Sequence, residues 1–277
     1  MSKNRRITGD DDMDFLVGRL GDDTMLGRGG DDTIAGLGGD DRLYGESGFD
    51  NLFGGTGHDW LFGGTQNDNL YGERGDDDLH GDGGIATVKG SDFGADNLNG
   101  GAGDDVLHQG DGNDTLTGGS GEDCFVFKWQ DPMVGLAFGT GRAFATLTDF
   151  DSDDDTLGFD VAGLGKDANG ANFVDGGDGT VGGAAGSFYR GGAAGSDGEA
   201  VMVLTGTGFA TGADAVIAAQ NEAMGDFVVY FNTTANVASL LFVDAPDSAH
   251  SIARFANMDS LADLRQAGFD AGDFLFA

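Results

Sequence analysis

A nine-residue motif repeats thirteen times between Gly9 and Val126, and this short, fixed period constrains the fold more than any other feature of the chain. A clean copy, GLGGDDRLY, runs from Gly36 to Tyr44, with glycine first and fourth, aspartate sixth and an apolar residue eighth. Only Ala86 breaks the sixth-position pattern. The sixth-position aspartates are Asp14, Asp23, Asp32, Asp41, Asp50, Asp59, Asp68, Asp77, Asp96, Asp105, Asp114 and Asp123.

Each repeat predicts a tight turn followed by a very short strand. Glycine tolerates positive φ, so the Gly-x-x-Gly segment favours a turn. Side chains alternate along a strand, so the uniformly apolar eighth position is expected to face inward. Two copies then form one coil of 18 residues in a flattened parallel β-helix, and successive coils stack about 4.8 Å apart.

Stacked coils place the sixth-position carboxylates above one another. At about 5 Å and an effective dielectric near 20, each neighbouring pair repels by roughly 3 kcal/mol. About ten such pairs exceed the usual stability of a domain, about 5–15 kcal/mol, so the repeats require cations. Carboxylates and glycine-exposed carbonyls form an all-oxygen environment, which suits Ca²⁺.

The pattern resembles the RTX, or hemolysin-type, calcium-binding nonapeptide Gly-Gly-x-Gly-x-Asp-x-U-x, which Gly54–Phe62 and Gly118–Val126 match in full. The resemblance implies a parallel β-roll with Ca²⁺ held between turns by the sixth-position aspartates and turn carbonyls. It also implies export by type I secretion machinery that reads an uncleaved C-terminal signal. The turn glycines expected to contribute are Gly18, Gly21, Gly27, Gly30, Gly36, Gly39, Gly45, Gly48, Gly54, Gly57, Gly63, Gly72, Gly75, Gly100, Gly103, Gly112, Gly118 and Gly121.

Two departures from the pattern bear on the expected ion sites. Gln66 replaces a turn glycine, which predicts a strained loop or a weak ion site. The copy from Gly81 to Gly90 has ten residues and carries Ala86. Aspartates 18 residues apart therefore predict one continuous column and one column broken at Ala86, with roughly nine Ca²⁺ sites in all. The continuous column is Asp23, Asp41, Asp59, Asp77, Asp96 and Asp114; the broken one is Asp14, Asp32, Asp50, Asp68, Asp105 and Asp123.

Charge and cysteine content narrow the function. The net charge is −34, which argues against nucleic acid and anionic membranes as partners. The periodic aspartates account for much of this negative charge. The alternative cause of the acidity is a surface adapted to high salt. Cys124 is the only cysteine, so no internal disulfide is expected. Residues 1–8 form a basic leader without the apolar region of a signal peptide, and no apolar run approaches a membrane span. The calcium demand indicates a secreted or cell-surface bacterial protein.

The predicted fold is all-β dominated: a parallel β-roll over residues 9–126, then a β-rich C-terminal cap with one or two short helices over 127–277. This second domain is also expected to hold the secretion signal. Asp151, Asp153 and Asp155 predict an acidic turn, with an extra Ca²⁺ as the alternative. The apolar C-terminus fits both a docked final strand and an export signal. The other predicted elements are strands 187–190, 201–205 and 252–256, a hairpin of 227–233 with 239–244, a helix over 213–224, and a helix from Ser260 to Ala267.

The sequence predicts a non-enzymatic, secreted protein that folds on binding Ca²⁺ outside the cell. No histidine lies in a His-Glu-x-x-His pattern and no serine in a Gly-x-Ser-x-Gly elbow, and His58, His80 and His108 are expected to be solvated. Leu26, Tyr44, Phe62 and His80 share an outer face, either packing on one another or contacting a partner. One alternative is therefore an adhesin, surface-layer or polysaccharide-binding module with a glycan or cell-surface partner. Another is an enzyme with its site in residues 127–277.

Overall fold

The computed structural model describes residues 4–83, 94–110, 112–128, 143–160, 183–184, 188–191, 201–219, 227–245 and 248–276. Among these residues strands dominate and two α-helices occur, which confirms the predicted all-β class. The chain divides into two compact units. One comprises Met1–Val126 with Arg142–Ala145, and the other comprises Phe127–Gly141 with Thr146–Ala277.

Fourteen short strands precede the bulk of the second unit. In chain order they are β1 (Arg6–Thr8), β2 (Phe15–Val17), β3 (Thr24–Gly29), β4 (Thr33–Ala35), β5 (Arg42–Ser47), β6 (Asn51–Thr56), β7 (Trp60–Thr65), β8 (Asn69–Arg74), β9 (Asp78–Asp82), β10 (Asn97–Ala102), β11 (Val106–His108), β12 (Gly112–Ser120), β13 (Cys124–Lys128) and β14 (Ala143–Leu147).

These strands form the two parallel sheets of a β-roll. Odd-numbered strands β1 to β13 make one sheet and even-numbered strands β2 to β14 make the other, so the chain changes sheet at every repeat. Each strand pairs in register with the strand one coil away: Leu43 in β5 lies opposite Leu61 in β7. Eighth-position residues such as Leu43, Leu61 and Leu70 have no exposed surface. The apolar column of the repeat is therefore the core between the sheets, as predicted.

The strand pairing on either side of the irregular copy corrects the predicted register. Asn69 in β8 pairs with Asn97 in β10, and Asp78 in β9 pairs with Val106 in β11, in each case 28 residues away instead of 18. The connection between these paired strands is therefore ten residues longer than elsewhere in the roll, and Ala86 falls within residues 84–93, beyond the described part of the chain. The physical reason is core continuity: this register leaves Leu79 opposite Leu107, and ten more residues in a connection cost little free energy.

Turn geometry explains why glycine recurs, and it confirms strain at Gln66. Fourth-position glycines such as Gly48 and Gly57 have φ of 138° and 131°. Gln66 holds the equivalent position with φ of 74°, a conformation that side chains with a Cβ rarely adopt. Four second-position residues with side chains have similarly positive φ: Arg28, Leu37, Glu46 and Glu73.

Replacing Gln66 by glycine is expected to stabilise the roll by about 1 kcal/mol, because glycine adopts positive φ without the steric cost. The matched control is Thr33→Gly in strand β4, where glycine has no such advantage and is expected to destabilise. Urea unfolding at saturating calcium measures both variants. A Gln66→Gly protein with a lower unfolding midpoint than the parent would contradict this account of the turn.

The second unit is a mixed structure of strands and short helices. Its strands and helices are β15 (Thr156–Asp160), β16 (Gly183–Ala184), β17 (Phe188–Gly191), β18 (Val201–Phe209), α1 (Gly212–Ala218), β19 (Phe227–Asn232), β20 (Val237–Ala245), β21 (Ser248–Phe255), α2 (Leu261–Gln266), a 3₁₀ turn (Ala271–Asp273) and β22 (Phe274–Phe276).

Strands β17 to β21 lie side by side in numerical order, and α1 packs on them. The core of this region joins Val216 of α1 to Met202, Val228 and Leu241 of the strands. The predicted hairpin is confirmed, since β19 and β20 pair antiparallel. The helix predicted over 213–224 is shorter, because Thr211 caps α1 at its start and its C-cap is already extended at Ala219. Residues 220–226 lie outside the described part.

Three further predictions for this unit hold. Ser260 caps α2 by accepting the Asp263 N–H, and the side chain of Asp155 accepts the Asp151 N–H at 2.8 Å to close the acidic turn. The final strand β22 pairs parallel with β15, so the apolar C-terminus is docked. Its use as an export signal, and an ion at the acidic turn, stay predictions.

Candidate metal centre

The sixth-position aspartates form two continuous ladders along the roll. In each step the carboxylate Oδ1 accepts the backbone N–H of the aspartate one coil earlier, at 2.7–3.0 Å. One ladder is Asp14, Asp32, Asp50, Asp68, Asp96 and Asp114; the other is Asp23, Asp41, Asp59, Asp77, Asp105 and Asp123.

These ladders correct the predicted columns. Asp68 follows directly on to Asp96, and Asp77 to Asp105, across the ten inserted residues. The predicted gap at Ala86 is therefore wrong, and each side of the roll has five intact steps. Gly81 accounts for the continuity, because a Cβ on Gly81 would meet Asp96 Oδ2, just as a Cβ on the other first-position glycines would meet their own sixth-position aspartates.

The second carboxylate oxygen is buried without a hydrogen bond. Every ladder aspartate from Asp23 onward is at most 2% exposed. Within the described residues, Oδ2 has no hydrogen-bond partner in Asp32, Asp41, Asp50, Asp59, Asp68, Asp77, Asp96 and Asp105. A buried polar atom of this kind is costly unless another group pairs with it.

The two aspartates at the N-terminal end show the contrast. Asp14 Oδ2 accepts the Asp10 N–H at 2.7 Å, and Asp23 Oδ2 accepts the Arg19 N–H at 2.8 Å. In the interior, the corresponding N–H of Leu37 donates instead to the Gly54 carbonyl at 3.0 Å. At the N-terminal end of the roll a backbone N–H therefore donates a hydrogen bond to Oδ2, whereas in the interior Oδ2 is available to a different kind of partner.

First-position glycines leave room for that partner. A Cβ on Gly63 would lie 2.5 Å from both Asp68 Oδ2 and the Gly81 carbonyl oxygen. A Cβ on Gly54 would lie 2.5 Å from Asp59 Oδ2 and 2.9 Å from the Gly72 carbonyl oxygen. A carboxylate oxygen and a carbonyl oxygen therefore converge beside the first-position glycines from Gly9 to Gly81, in a space that any side chain would fill. This oxygen-only set fits a hard cation such as Ca²⁺.

The same contact pattern brings together the predicted first-position glycines and two residues missed from sequence. Carbonyls of Gly27, Gly36, Gly45, Gly54, Gly63, Gly72 and Gly100 face the ladders, and Gly18 and Gly118 lie beside Asp23 and Asp123. The carbonyls of Gly81 and Gln109 also face the ladders. Gly81 was missed because it opens the irregular ten-residue copy, and Gln109 was missed because it is not a glycine. The fourth-position glycines Gly48, Gly57, Gly75, Gly103 and Gly121 lie against the backbone one coil earlier, and the predicted contribution of fourth-position glycines to ion binding stays a prediction.

A second, exposed row of acids was also missed. Fifth-position carboxylates accept backbone N–H groups from the next coil, for example Asp40 from His58 at 3.0 Å and Asp104 from Glu122 at 2.9 Å. The recurring Asp-Asp pair in the sequence was the available signal. These side chains link the turns of successive coils on the solvent-exposed side.

Burial makes the ladder carboxylates reluctant to ionise without a cation. Burial raises the pKa of Asp41 and Asp77 to about 6, and that of Asp50, Asp59, Asp96 and Asp105 to about 7. Asp68 is raised furthest, to a pKa of about 9, by burial and by the charges of Asp96 and Asp50. In each case the hydrogen bond from the preceding aspartate N–H opposes the shift only in part.

Acid is therefore expected to stabilise the calcium-free roll. These folded-state pKa values lie above the ordinary 3.8, so the folded state binds more protons and its stability falls as pH rises through about 6 to 9. Circular dichroism of protein freed of metal on a chelating resin should show more β-structure at pH 5 than at pH 8. With calcium present the sign reverses, because protons compete for the ligands. Equal β-structure at both pH values without calcium would contradict this.

Parallel coils, glycine turns and buried carboxylate ladders define a cation-dependent β-roll. The family model of the RTX calcium-binding nonapeptide repeat matches residues 8–43, 17–52, 35–69, 53–88 and 91–123. Residues 8–123 are therefore RTX calcium-binding nonapeptide repeats, as the motif resemblance predicted.

Nodulation protein O of Rhizobium leguminosarum bv. viciae is 36% identical to this chain over 151 residues. The match covers 51% of this chain and 52% of the relative, so the chain spans about half the length of this curated protein. None of the helices in the described residues is long and apolar enough to cross a membrane.

Proposed function

We propose that this chain is a secreted, non-enzymatic calcium-binding protein whose repeat roll folds when Ca²⁺ becomes available outside the cell. The observation that carries the proposal is the series of buried Oδ2 atoms without hydrogen bonds, which from Asp32 to Asp96 each lie near a backbone carbonyl beside a glycine. With two continuous ladders, about ten ions are expected instead of the nine predicted from sequence.

The ladder residues have distinct tasks in this proposal. Oδ1 of each aspartate fixes the carboxylate by accepting a backbone N–H, so only Oδ2 is presented to the ion. The first-position glycine keeps the space open, and the carbonyl one coil further supplies a second oxygen. Bound calcium would supply positive charge that offsets the repulsion between successive carboxylates.

Equilibrium dialysis with metal analysis tests calcium binding. We expect about ten Ca²⁺ per chain, and fewer in Asp59→Ala, whose carboxylate belongs to an interior step. The matched control is Asp40→Ala, an exposed fifth-position residue that should leave the number unchanged. Binding of one or two ions only, or equal loss in both variants, would reject the ladder as the calcium site.

Export through a type I system is the second part of the proposal. It is supported by the RTX repeats and by the acidic, then apolar, C-terminal residues. Removing residues 218–277 is expected to retain the protein in the producing cell, and fusing them to a passenger protein is expected to send that passenger to the medium. A passenger that stays inside, together with a truncated chain that is still exported, would show that the address lies elsewhere.

A second candidate function is binding of an acidic glycan on the outer face of the odd-numbered sheet. A surface depression of about 470 Å³ lies there, and the Arg42 guanidinium stacks 4.4 Å above the Trp60 ring. Aromatic rings pack against sugar faces, while arginine pairs with sugar carboxylates. The depression is lined by Asn4, Arg5, Arg6, Asp22, Asp23, Thr24, Asp40, Arg42 and Trp60.

A glycan array probed with calcium-loaded protein tests this second function. Trp60→Ala is expected to reduce binding to uronic-acid glycans at least tenfold. Tyr71→Ala, on the even-numbered sheet, is the control and should bind as the parent does. Absence of any glycan signal would leave the adhesin and polysaccharide-binding alternatives without support from this face.

A further inference from the structure

Two histidines and an aspartate converge on the outer face of the odd-numbered sheet, away from the aspartate ladders. Asp78 and His80 belong to β9, and His108 belongs to the neighbouring β11. The Nε2 atoms of His80 and His108 lie 2.9 and 3.2 Å from the same oxygen, Asp78 Oδ1. Each of the three residues offers one ligand atom, and these three atoms all lie within 4.8 Å of one another.

The 28-residue register between β9 and β11 creates this cluster. His80 and His108 are 28 residues apart, yet they are direct register partners across β9 and β11. Had the copy with Ala86 formed a coil, a different strand would lie beside β9. The cluster is thus a consequence of the corrected register, and it could not be found from the nine-residue spacing alone.

The surroundings hold the cluster in place and restrict water. The His80 ring stacks on Phe62 at 4.6 Å and on His108 at 4.0 Å between ring centroids, extending a column that begins at Tyr44. The aromatic stripe therefore packs on itself, which was one of its two predicted roles. The side chains of His80 and His108 are only 18% and 23% exposed, so the prediction that they are solvated is wrong.

The donor set differs in chemistry from the ladders. Imidazole nitrogens favour Zn²⁺, Cu²⁺ and related transition metals, whereas Ca²⁺ takes oxygen ligands. Two histidines and one carboxylate also leave an open position for water in a tetrahedral zinc site. Asp78 Oδ1 is enclosed, and the Nε2 atoms of His80 and His108 are its close ion-pair partners.

We infer that Asp78, His80 and His108 form a transition-metal site, with Zn²⁺ as the first candidate, separate from the calcium ladders. The two imidazoles supply nitrogen ligands and Asp78 supplies one oxygen. Small rotations of the stacked rings would bring both Nε2 atoms to bonding distance of one ion. The site assembles only when β9 and β11 are paired, so it exists in the folded roll.

Titration of the full, calcium-loaded chain with Co²⁺ tests this inference, because four-coordinate Co²⁺ absorbs strongly in the visible range. We expect one equivalent to bind, and Zn²⁺ to displace it. His80→Phe and His108→Phe should each weaken binding at least tenfold. Phenylalanine preserves the ring column, as Phe62 already shows, and circular dichroism with calcium verifies the fold. His58→Phe is the control, since His58 is 57% exposed and lies beside Asp76.

A second readout needs no variant. X-ray absorption of the zinc-loaded, calcium-saturated parent should show two histidine ligands per ion. Absence of stoichiometric binding, binding unchanged by His80→Phe and His108→Phe, or an oxygen-only zinc shell would each overturn the inference. Because the ladders contain no histidine, failure here would leave the calcium function intact.

Discussion

In excess chelator at pH 8 the repeat roll should lose most of its β-structure, and millimolar Ca²⁺ should restore it. The reason is electrostatic: the ladders hold buried carboxylates in successive coils, and each neighbouring pair repels by roughly 3 kcal/mol at an effective dielectric near 20. Five steps on each side exceed the usual 5–15 kcal/mol stability of a domain. Far-ultraviolet circular dichroism during a calcium titration measures the effect.

Magnesium provides the specificity control for this titration. Mg²⁺ requires compact octahedral geometry and gives up its waters reluctantly, so it should restore little structure at equal concentration. A roll fully formed in chelator at pH 8 would contradict the coupling of folding to calcium. Equal recovery with both ions would show that screening of charge suffices and that no shaped site is needed.

Replacing Gly63 by alanine should have the next largest effect. The added Cβ would lie 2.5 Å from both Asp68 Oδ2 and the Gly81 carbonyl oxygen, in the space assigned to the ion. We expect a loss of about 3 kcal/mol in stability at saturating calcium, from overpacking and the lost ion. The calcium concentration needed for folding should rise correspondingly.

Gly29→Ala is the matched control for this substitution. Gly29 also lies in a repeat turn, but the nearest atom to its added Cβ would be Ser47 Oγ at 3.4 Å, close to an ordinary contact. Neither Gly63 nor Gly29 has positive φ, so the two variants differ in space and not in backbone strain. Equal, small effects of both substitutions on calcium-dependent folding would show that the space beside Gly63 holds no ion.

The sequence was sufficient for the architecture of the roll because one short period fixes three properties at once. The eighth position defines the core, as Leu43 and Leu61 show, and the sixth position defines the ladder. The period also fixes the pairing of each strand with its neighbour one coil away. Every copy carries the same information on core, ladder and pairing, so one irregular copy does not make the fold of the other copies ambiguous.

The prediction from sequence failed at the irregular copy from Gly81 to Gly90, where the repeat no longer determines the strand pairing. A ten-residue copy can be one irregular coil or an insertion, and Ala86 and Val88 were compatible with the first. The pairings of Asn69 with Asn97 and of Asp78 with Val106 distinguish them. The metal cluster at His80 and His108 depends on this same pairing. In the second unit, where no period exists, the hairpin and the Ser260 cap were predicted from local chemistry, while helix α1 ended earlier than its composition indicated.

Anomalous diffraction from crystals grown with calcium tests the central claim most directly. The expected result is two continuous files of about five ions, each beside an aspartate Oδ2 and a first-position carbonyl, including ions between Asp68 and Asp96 and between Asp77 and Asp105. A file interrupted at the insertion, or ions remote from the sixth-position aspartates, would contradict the continuous calcium ladders.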